Sequence, residues 1–357
     1  LKPVFYTISV AAVRPETNDA VCIELSIPDA LKPIFAYRAG QYITLKANIN
    51  GSEVRRTYSL CSSPLEGTWQ VGIKKVPGGL FSNWACNSLK AGDTLEAMPP
   101  MGRFCIELQP QCPKLYVAFV AGSGITPVLS LLKTILAAEP LSRFTLVYGN
   151  KSRSSIMFRE TLEALKNKYL HRLQIHYIFS REKTDADINY GRIDADKCNL
   201  LLQKLVGAQP VSDYFLCGPQ AMIEAVQQCL LANNVPEYKV HFELFTTGSA
   251  TKTFTAKASP ANENNSHITI RLDGVETGFY LAADSYPILD AALLEGLDLP
   301  YACKGGMCCT CKAKLLKGQV SMEVHYGLES DEIAAGYILT CQAHPLTPEV
   351  VVDFDDR

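Results

Sequence analysis

Residues 115–138 read LYVAFVAGSGITPVLSLLKTILAA, and this stretch decides the fold of the middle of the chain. A short unbroken apolar run reads as a strand, two closely spaced glycines follow, and the next apolar run has helical length. The pattern then repeats. RFTLVYGN (143–150), a helix from about 155 to 168 and LQIHYIFS (173–180) continue strand, helix, strand, which predicts an α/β domain with a parallel sheet over residues 109–245. The glycines of AGSGITP (121–127) allow a backbone to approach a pyrophosphate whose charge suits a helix N-terminus. A second loop, CGPQAM (217–222), follows the strand DYFL. Two such loops at the carboxyl ends of parallel strands border one crevice, where open α/β sheets bind ligands.

Upstream, residues 1–108 alternate short β-type runs, among them VCIELSI (21–27), QYITLKA (41–47) and WQVGIKKV (69–76), with Gly, Pro and Asn turns. This predicts an antiparallel barrel or sandwich. Downstream, residues 246–266, TTGSATKTFTAKASPANENNS, are small and polar and read as a flexible linker. As a coil it would span about 25 Å. The remaining module, residues 267–357, carries 6 Lys and Arg against 14 Asp and Glu, whereas residues 1–266 carry 28 against 22. An acidic tail on a basic body suggests electrostatic docking, either between the halves or with a partner.

The tail also holds YACKGGMCCTCKAK (301–314), with four of the chain's thirteen cysteines. Cys303, Cys308 and Cys311 fit C-x4-C-x2-C, and Cys341 follows after 29 intervening residues. That is the spacing of a plant-type 2Fe-2S centre, in which four thiolates surround two bridged irons. Using Cys309 instead would give C-x5-C-x-C, so Cys309 is expected to be a bystander. A zinc site more naturally offers two C-x2-C pairs, and only Cys308 with Cys311 makes one. A Rieske centre needs Cys-x-His twice, which this sequence lacks. Cys22, Cys61, Cys86, Cys105, Cys112, Cys198 and Cys229 are expected to fill core positions.

No charged-then-apolar leader opens the sequence and no apolar run approaches the roughly 18 residues of a membrane span. The odd cysteine count adds to the expectation of a soluble protein in a reducing, cytoplasmic compartment. Because the chain opens on Leu, its true start is expected upstream. Neither a nucleic-acid nor a membrane partner is expected.

Four motifs complete the reading: Arg56-x-Tyr58-Ser59, Gly79-x-x-Ser82, Gly122-x-Gly124 ahead of Pro127, and Cys217-Gly218-Pro219. In that order they resemble the ferredoxin-NADP reductase superfamily, and the tail resembles a fused plant-type ferredoxin, so the likeness covers nearly the whole chain. The resemblance implies a multidomain protein: an antiparallel β-barrel FAD domain, an α/β parallel-sheet nucleotide domain and an α+β, β-grasp 2Fe-2S domain. Arg56 would pair with the flavin pyrophosphate, Tyr58 would lie against the isoalloxazine and Ser59 would hydrogen-bond its edge. Gly79 and Ser82 would hold phosphate, which favours FAD over FMN. Gly122, Gly124 and Thr126 would line the dinucleotide, Cys217, Gly218 and Pro219 would flank the nicotinamide, and Phe245 would cover the flavin or belong to the core. The cysteine set Cys303, Cys308, Cys311 and Cys341 would hold the cluster.

A nicotinamide gives two electrons as hydride and a 2Fe-2S centre takes one at a time, so a flavin between them acts as converter. The expected activity is therefore an NAD(P)H-dependent oxidoreductase feeding a separate oxygenase component. A redox-sensing iron-sulfur module is the alternative of another class. Coenzyme choice rests on the end of LQIHYIFS, where Ser180 and Arg181 suit the extra phosphate of NADPH while the neighbouring Glu182 suits NADH. NADPH is expected.

Overall fold

The computed structural model describes residues 4–245, 265–282 and 285–356. It divides into two compact units, one of Thr7–Val54 with Tyr58–Phe245, the other built on the chain beyond Phe245 together with Arg55–Thr57 and the residues up to Tyr6.

In the larger unit the N-terminal domain is a six-stranded sheet of β1 (Tyr6–Thr17), β2 (Ala20–Ser26), β3 (Tyr42–Ile49), β4 (Ser52–Ser59), β5 (Trp69–Lys74) and β6 (Thr94–Ala97). Their order is β4-β3-β6-β1-β2-β5, with antiparallel pairing of β1 to β2 and β2 to β5. Helix α1 (Leu80–Asn87) lies between β5 and β6 in sequence. Inward residues such as Ile8, Ile23, Ile43, Leu45, Val71 and Ile73 are buried and form its core.

The second domain of this unit runs β7 (Leu115–Ala121), α2 (Ile125–Ala138), β8 (Arg143–Asn150), α3 (Arg159–Lys168), β9 (Leu173–Phe179), α4 (Ala195–Leu201), β10 (Asp213–Gly218), α5 (Gln220–Ala232) and β11 (Val240–Leu244). The strands are parallel in the order β11-β10-β7-β8-β9. Central β7 is buried at every position but the last, which is why it reads as an unbroken apolar run. The chain leaves β7 toward β8 and β9, then returns to β10 on the other side. This reversal sets the turns after β7 and β10 side by side and opens the crevice.

Helix α2 is buried nearly all round because it is covered by the sheet on one side and by the barrel domain on the other. Ser130 Oγ donates to the Ser62 carbonyl at 2.6 Å, and the Thr134 and Ser63 hydroxyls meet at 2.7 Å. A second tie joins the Glu16 carboxylate of β1 to the Phe158 N–H at 2.9 Å. Phe158 has φ 58, in the left-handed region, so α3 opens at Arg159 rather than near residue 155 as the sequence predicts.

The smaller unit contains β12 (Asn265–Leu272), β13 (Val275–Ala282), α6 (Ile288–Leu294), β14 (Lys312–Lys317), β15 (Val320–Met322), α7 (Ser330–Ala334), β16 (Tyr337–Leu339), β17 (Ala343–Pro345) and β18 (Glu349–Asp353). Its main sheet, β13-β12-β18-β14-β16, mixes parallel and antiparallel neighbours. Ile268, Ile270, Val350, Val352 and the buried residues Ile288, Leu289 and Ala292 of α6 form its core. Of the expected linker, residues 246–264 lie outside the described residues. Asn265 and Ser266 already belong to β12, paired with Ala282 and Leu281, so strand structure begins two residues earlier than composition suggests.

Of the cysteines read as core fillers, Cys22, Cys61, Cys198 and Cys229 are buried. Cys86 and Cys105 are only partly so, and Cys112, in the turn before β7, is exposed. Among the described residues no helix is long and apolar enough to cross a membrane.

Candidate active site and cluster ligands

The crevice is built first by a contact that only glycine permits. A Cβ on Gly124 would stand 2.2 Å from the Cys217 carbonyl oxygen, so the turn after β7 presses directly on the turn after β10. Gly122 has φ 56 with nothing within 4 Å of where a Cβ would sit, so its backbone faces open space. A ligand phosphate can approach it there. Thr126 is buried and its Oγ1 donates to the Ser123 carbonyl at 3.0 Å, while the Tyr148 hydroxyl donates to the Gly122 carbonyl at 3.0 Å. These bonds fix the turn from both ends.

The barrel domain contributes the end of β4. Arg56 is exposed there, with Nη1 donating to the Arg55 carbonyl at 2.7 Å. Tyr58 is half-buried with its ring centroid 5.5 Å from that of Phe81. Ser59 is buried, and its Oγ donates to Glu243 Oε2 at 2.8 Å. Glu243 lies on β11, in register with Cys217 on β10. Ser59 and Cys217, 158 residues apart in sequence, thus converge on one carboxylate at the seam between barrel and sheet. Sequence reasoning missed Glu243. Its signal is a carboxylate inside HFELF, two residues before Phe245, in a strand that otherwise leads into the crevice.

Burial pushes Glu243 up to about 7, against the hydrogen bond from Ser59, which acts the other way. Burial likewise holds the Cys217 thiol well above its ordinary range, with the Glu243 charge adding to the effect. Cys217 therefore stays a neutral thiol at physiological pH, and Glu243 exchanges a proton near neutrality. Phe245 is partly buried against the core of the larger unit. Gly218 and Pro219 complete the β10 turn, and Pro219 caps α5.

At α1, Gly79 is the N-cap, and Ser82 is buried with its Oγ accepting from the Val76 N–H at 3.1 Å. In this structure the Ser82 hydroxyl serves its own loop. The preceding Gly78 has φ 72 and open space around it, as Gly122 does, so both turns offer bare backbone of the kind that suits a diphosphate.

At the end of β9 the Ser180 N–H donates to the Asn150 carbonyl at 2.9 Å, and the Arg181 N–H to that of Lys151 at 3.0 Å. The Arg181 side chain is exposed.

In the smaller unit the cysteines gather as two pairs. Cys303 lies beside Cys308, and Cys311 beside Cys341. Thr340 secures the second pair, since its N–H and Oγ1 both donate to the Cys311 carbonyl, at 3.2 and 2.9 Å. Lys312 and the nearly buried Glu332 of α7 form an ion pair at 2.8 Å that ties down the strand leaving the loop. The Cys303 thiol is pushed down to about 6, first by the Cys308 thiol and then, against burial, by the N–H groups of Gly305, Cys308 and Met307. Two of those amides, of Gly305 and Cys308, lie 3.3 and 3.4 Å from its Sγ. Thiolate is the form that binds iron, so this loop is organised for ligation. Among the described residues no three His, Cys, Asp or Glu side chains converge closely enough to hold a single metal ion. Two pairs of sulfurs fit a pair of bridged irons. Cys309 is partly buried.

Comparison with known proteins agrees with this arrangement. Residues 9–106 match the oxidoreductase FAD-binding domain, 119–228 the oxidoreductase NAD-binding domain and 270–346 the 2Fe-2S iron-sulfur cluster binding domain. The chain is 46% identical over 354 residues to a subunit of the 1,2-phenylacetyl-CoA epoxidase of Escherichia coli, covering 99% of this chain and 98% of that one. It is 35% identical over 363 residues to the ferredoxin reductase component of the 3-ketosteroid-9-alpha-monooxygenase of Rhodococcus rhodochrous, covering 97% and 96%. Phthalate dioxygenase reductase, described as a modular structure for electron transfer from pyridine nucleotides to [2Fe-2S], superposes with a TM-score of 0.60 at 25% identity, covering 98% of each chain.

Proposed function

Because the chain belongs to the family of oxygenase reductases that join FAD-binding, NAD-binding and C-terminal 2Fe-2S domains, we propose that it carries electrons from NADPH to a phenylacetyl-CoA ring epoxidase. It is an oxidoreductase, the reductase component of a multicomponent oxygenase system. The observation that carries the reading is the convergence of Ser59, Glu243 and Cys217 where the flavin-type barrel meets the nucleotide-type sheet.

When bound, the flavin supplies two-electron to one-electron conversion and the cluster supplies one-electron transfer. The chain's own residues supply position. Gly122, Gly124 and Thr126 would seat the dinucleotide, and Cys217, Gly218 and Pro219 would flank the nicotinamide. Arg56, Gly79 and Ser82 would hold the flavin phosphates and Tyr58 would face its ring, while Phe245 packs against the core of the larger unit. Ser59 directs its hydroxyl to Glu243, which keeps that carboxylate oriented and able to hold or release a proton near neutral pH. Cys217, kept neutral by burial, would offer bulk without charge to a nicotinamide. Orientation carries most of the catalysis.

Ser180 and Arg181 would receive the phosphate that distinguishes NADPH, a reading supported by the exposure of Arg181 at the end of β9. Residues 1–108, 109–245 and 265–357 are the FAD, nucleotide and 2Fe-2S domains, the last beginning with β12. Thirteen thiols support a cytoplasmic, reducing location. The test is reconstitution: purified chain, NADPH and purified phenylacetyl-CoA epoxidase oxygenase should turn over phenylacetyl-CoA. Support of other oxygenases but not of this one would overturn the substrate assignment.

A further inference from the structure

We propose that Arg153 is a positioning residue for coenzyme choice, holding Glu182 away from the adenosine ribose so that Arg181 meets the coenzyme phosphate without a competing carboxylate. The inference deepens the NADPH reading above and rests on it. The turn after β9 carries one carboxylate in its Ser180–Lys183 stretch, Glu182. A carboxylate at this place in a parallel sheet accepts from ribose hydroxyls and repels a phosphate on the same ring.

Here both its oxygens are already engaged by one residue of the neighbouring turn. Glu182 Oε2 accepts from the Arg153 backbone N–H at 2.8 Å, and Oε1 accepts from Arg153 Nη1 at 2.5 Å. Arg153 is itself held. Its guanidinium carbon lies 5.6 Å from the centre of the Phe179 ring. The turn it opens is closed by the Ser152 N–H donating to Ser155 Oγ at 3.0 Å and Ser155 Oγ donating to the Ser152 carbonyl at 2.7 Å.

The two turns are joined further by the Ser180 and Arg181 amides on the Asn150 and Lys151 carbonyls. Glu182 is therefore drawn toward the β8 turn, whose Arg153 lines a cavity of about 430 Å³ together with Phe179, Arg159, Thr184 and the carboxylates Glu163 and Asp185. A charge-assisted pair built from a guanidinium and a backbone amide on one carboxylate is directional and is not matched by lysine. In this arrangement the sequence motif that looks ambiguous between the coenzymes, Ser-Arg-Glu, is resolved by a residue 29 positions upstream.

The experiment is a double-mutant cycle on the full, FAD-loaded chain, with steady-state kinetics for both coenzymes and calorimetric binding of 2′,5′-ADP and 5′-AMP. Arg153→Met keeps an apolar stem near Phe179 and releases Glu182. It should lower NADPH kcat/KM at least about tenfold, raise that for NADH several-fold, and weaken 2′,5′-ADP but not 5′-AMP by a similar factor. With Glu182→Gln already present, the same change should cost NADPH less than about threefold. Arg153→Lys, which keeps the charge but not the fork, should fall between wild type and Arg153→Met. An equal tenfold loss in the Glu182→Gln background would mean that Arg153 meets the phosphate itself, and an unchanged coenzyme ratio in Arg153→Met would mean that it does nothing; either overturns the inference. A wild type that prefers NADH overturns the underlying NADPH reading and this inference together, whereas a wild type that prefers NADPH without coupling between the two sites overturns this inference alone.

Discussion

Replacing Glu243 by Gln should change how the protein's stability depends on pH. In the folded chain this carboxyl is held at about 7, against its ordinary value of 4.5, with burial as the cause. The gap corresponds to about 3 kcal/mol between the two protonation states. Because the folded value is raised, the contribution is fully present below 4.5 and is lost as pH rises through about 7. The neutral group fits its buried site, and the charged one is retained there at a cost. Gln has the same shape, can accept the Ser59 hydrogen bond, and does not titrate. The stability difference between Glu243→Gln and wild type should therefore shift in favour of the variant by about 3 kcal/mol from pH 5 to pH 9. For a unit of this size that is a relative change in Tm of about 6–12 °C. Thermal melts of both FAD-loaded proteins across that pH range make the measurement. Parallel profiles would refute the reasoning, since they would mean that Glu243 titrates in the ordinary carboxyl range.

Three further expectations follow from the geometry. Changing Cys303, Cys308, Cys311 or Cys341 to Ser should each abolish the visible iron-sulfur spectrum, whereas Cys309→Ser should leave spectrum and iron content near normal; iron loss on changing Cys309 with Cys308 dispensable would reverse the assignment. Arg181→Ala should lower NADPH efficiency about 10-fold or more, equivalent to about 1.4 kcal/mol, and barely alter NADH; steady-state kinetics showing equal losses would mean that Arg181 does not read the phosphate. Gly124→Ala would force a Cβ to within 2.2 Å of the Cys217 carbonyl oxygen, so it should destabilise the crevice and depress use of both coenzymes, while FAD content, read from the flavin absorbance, stays near wild type.

The features that sequence exposes well here are those in which chemistry and local spacing coincide. Cys303, Cys308 and Cys311 declare themselves as candidate cluster ligands because their spacing is set by one loop, to which Cys341 is added from a distant segment, and the turn after β7 is legible because strand, glycines and helix are contiguous. The barrel strands are legible from their turns. Other features depend on pairings that local pattern does not encode. Glu243 looks like an ordinary polar position in a strand until β11 is set beside β10 and the end of β4. The Arg153–Glu182 pair joins two turns that meet only because β8 and β9 are neighbours. Asn265 and Ser266 are polar enough to read as linker, and become strand because β13 pairs with them. The start of α3 depends on Phe158 taking a left-handed conformation where the Glu16 carboxylate binds its amide. Cys112 is a small thiol by type, but its place in a surface turn leaves it exposed.

Electrons are expected to leave this chain through its C-terminal iron-sulfur module. The most direct test compares the full chain with one ending at residue 264, just before β12, for NADPH-driven reduction of ferricyanide, cytochrome c and the purified oxygenase. The shortened chain should keep ferricyanide reduction within about twofold and lose about a hundredfold or more of its delivery to cytochrome c and the oxygenase. Undiminished delivery by the shortened chain would contradict the account.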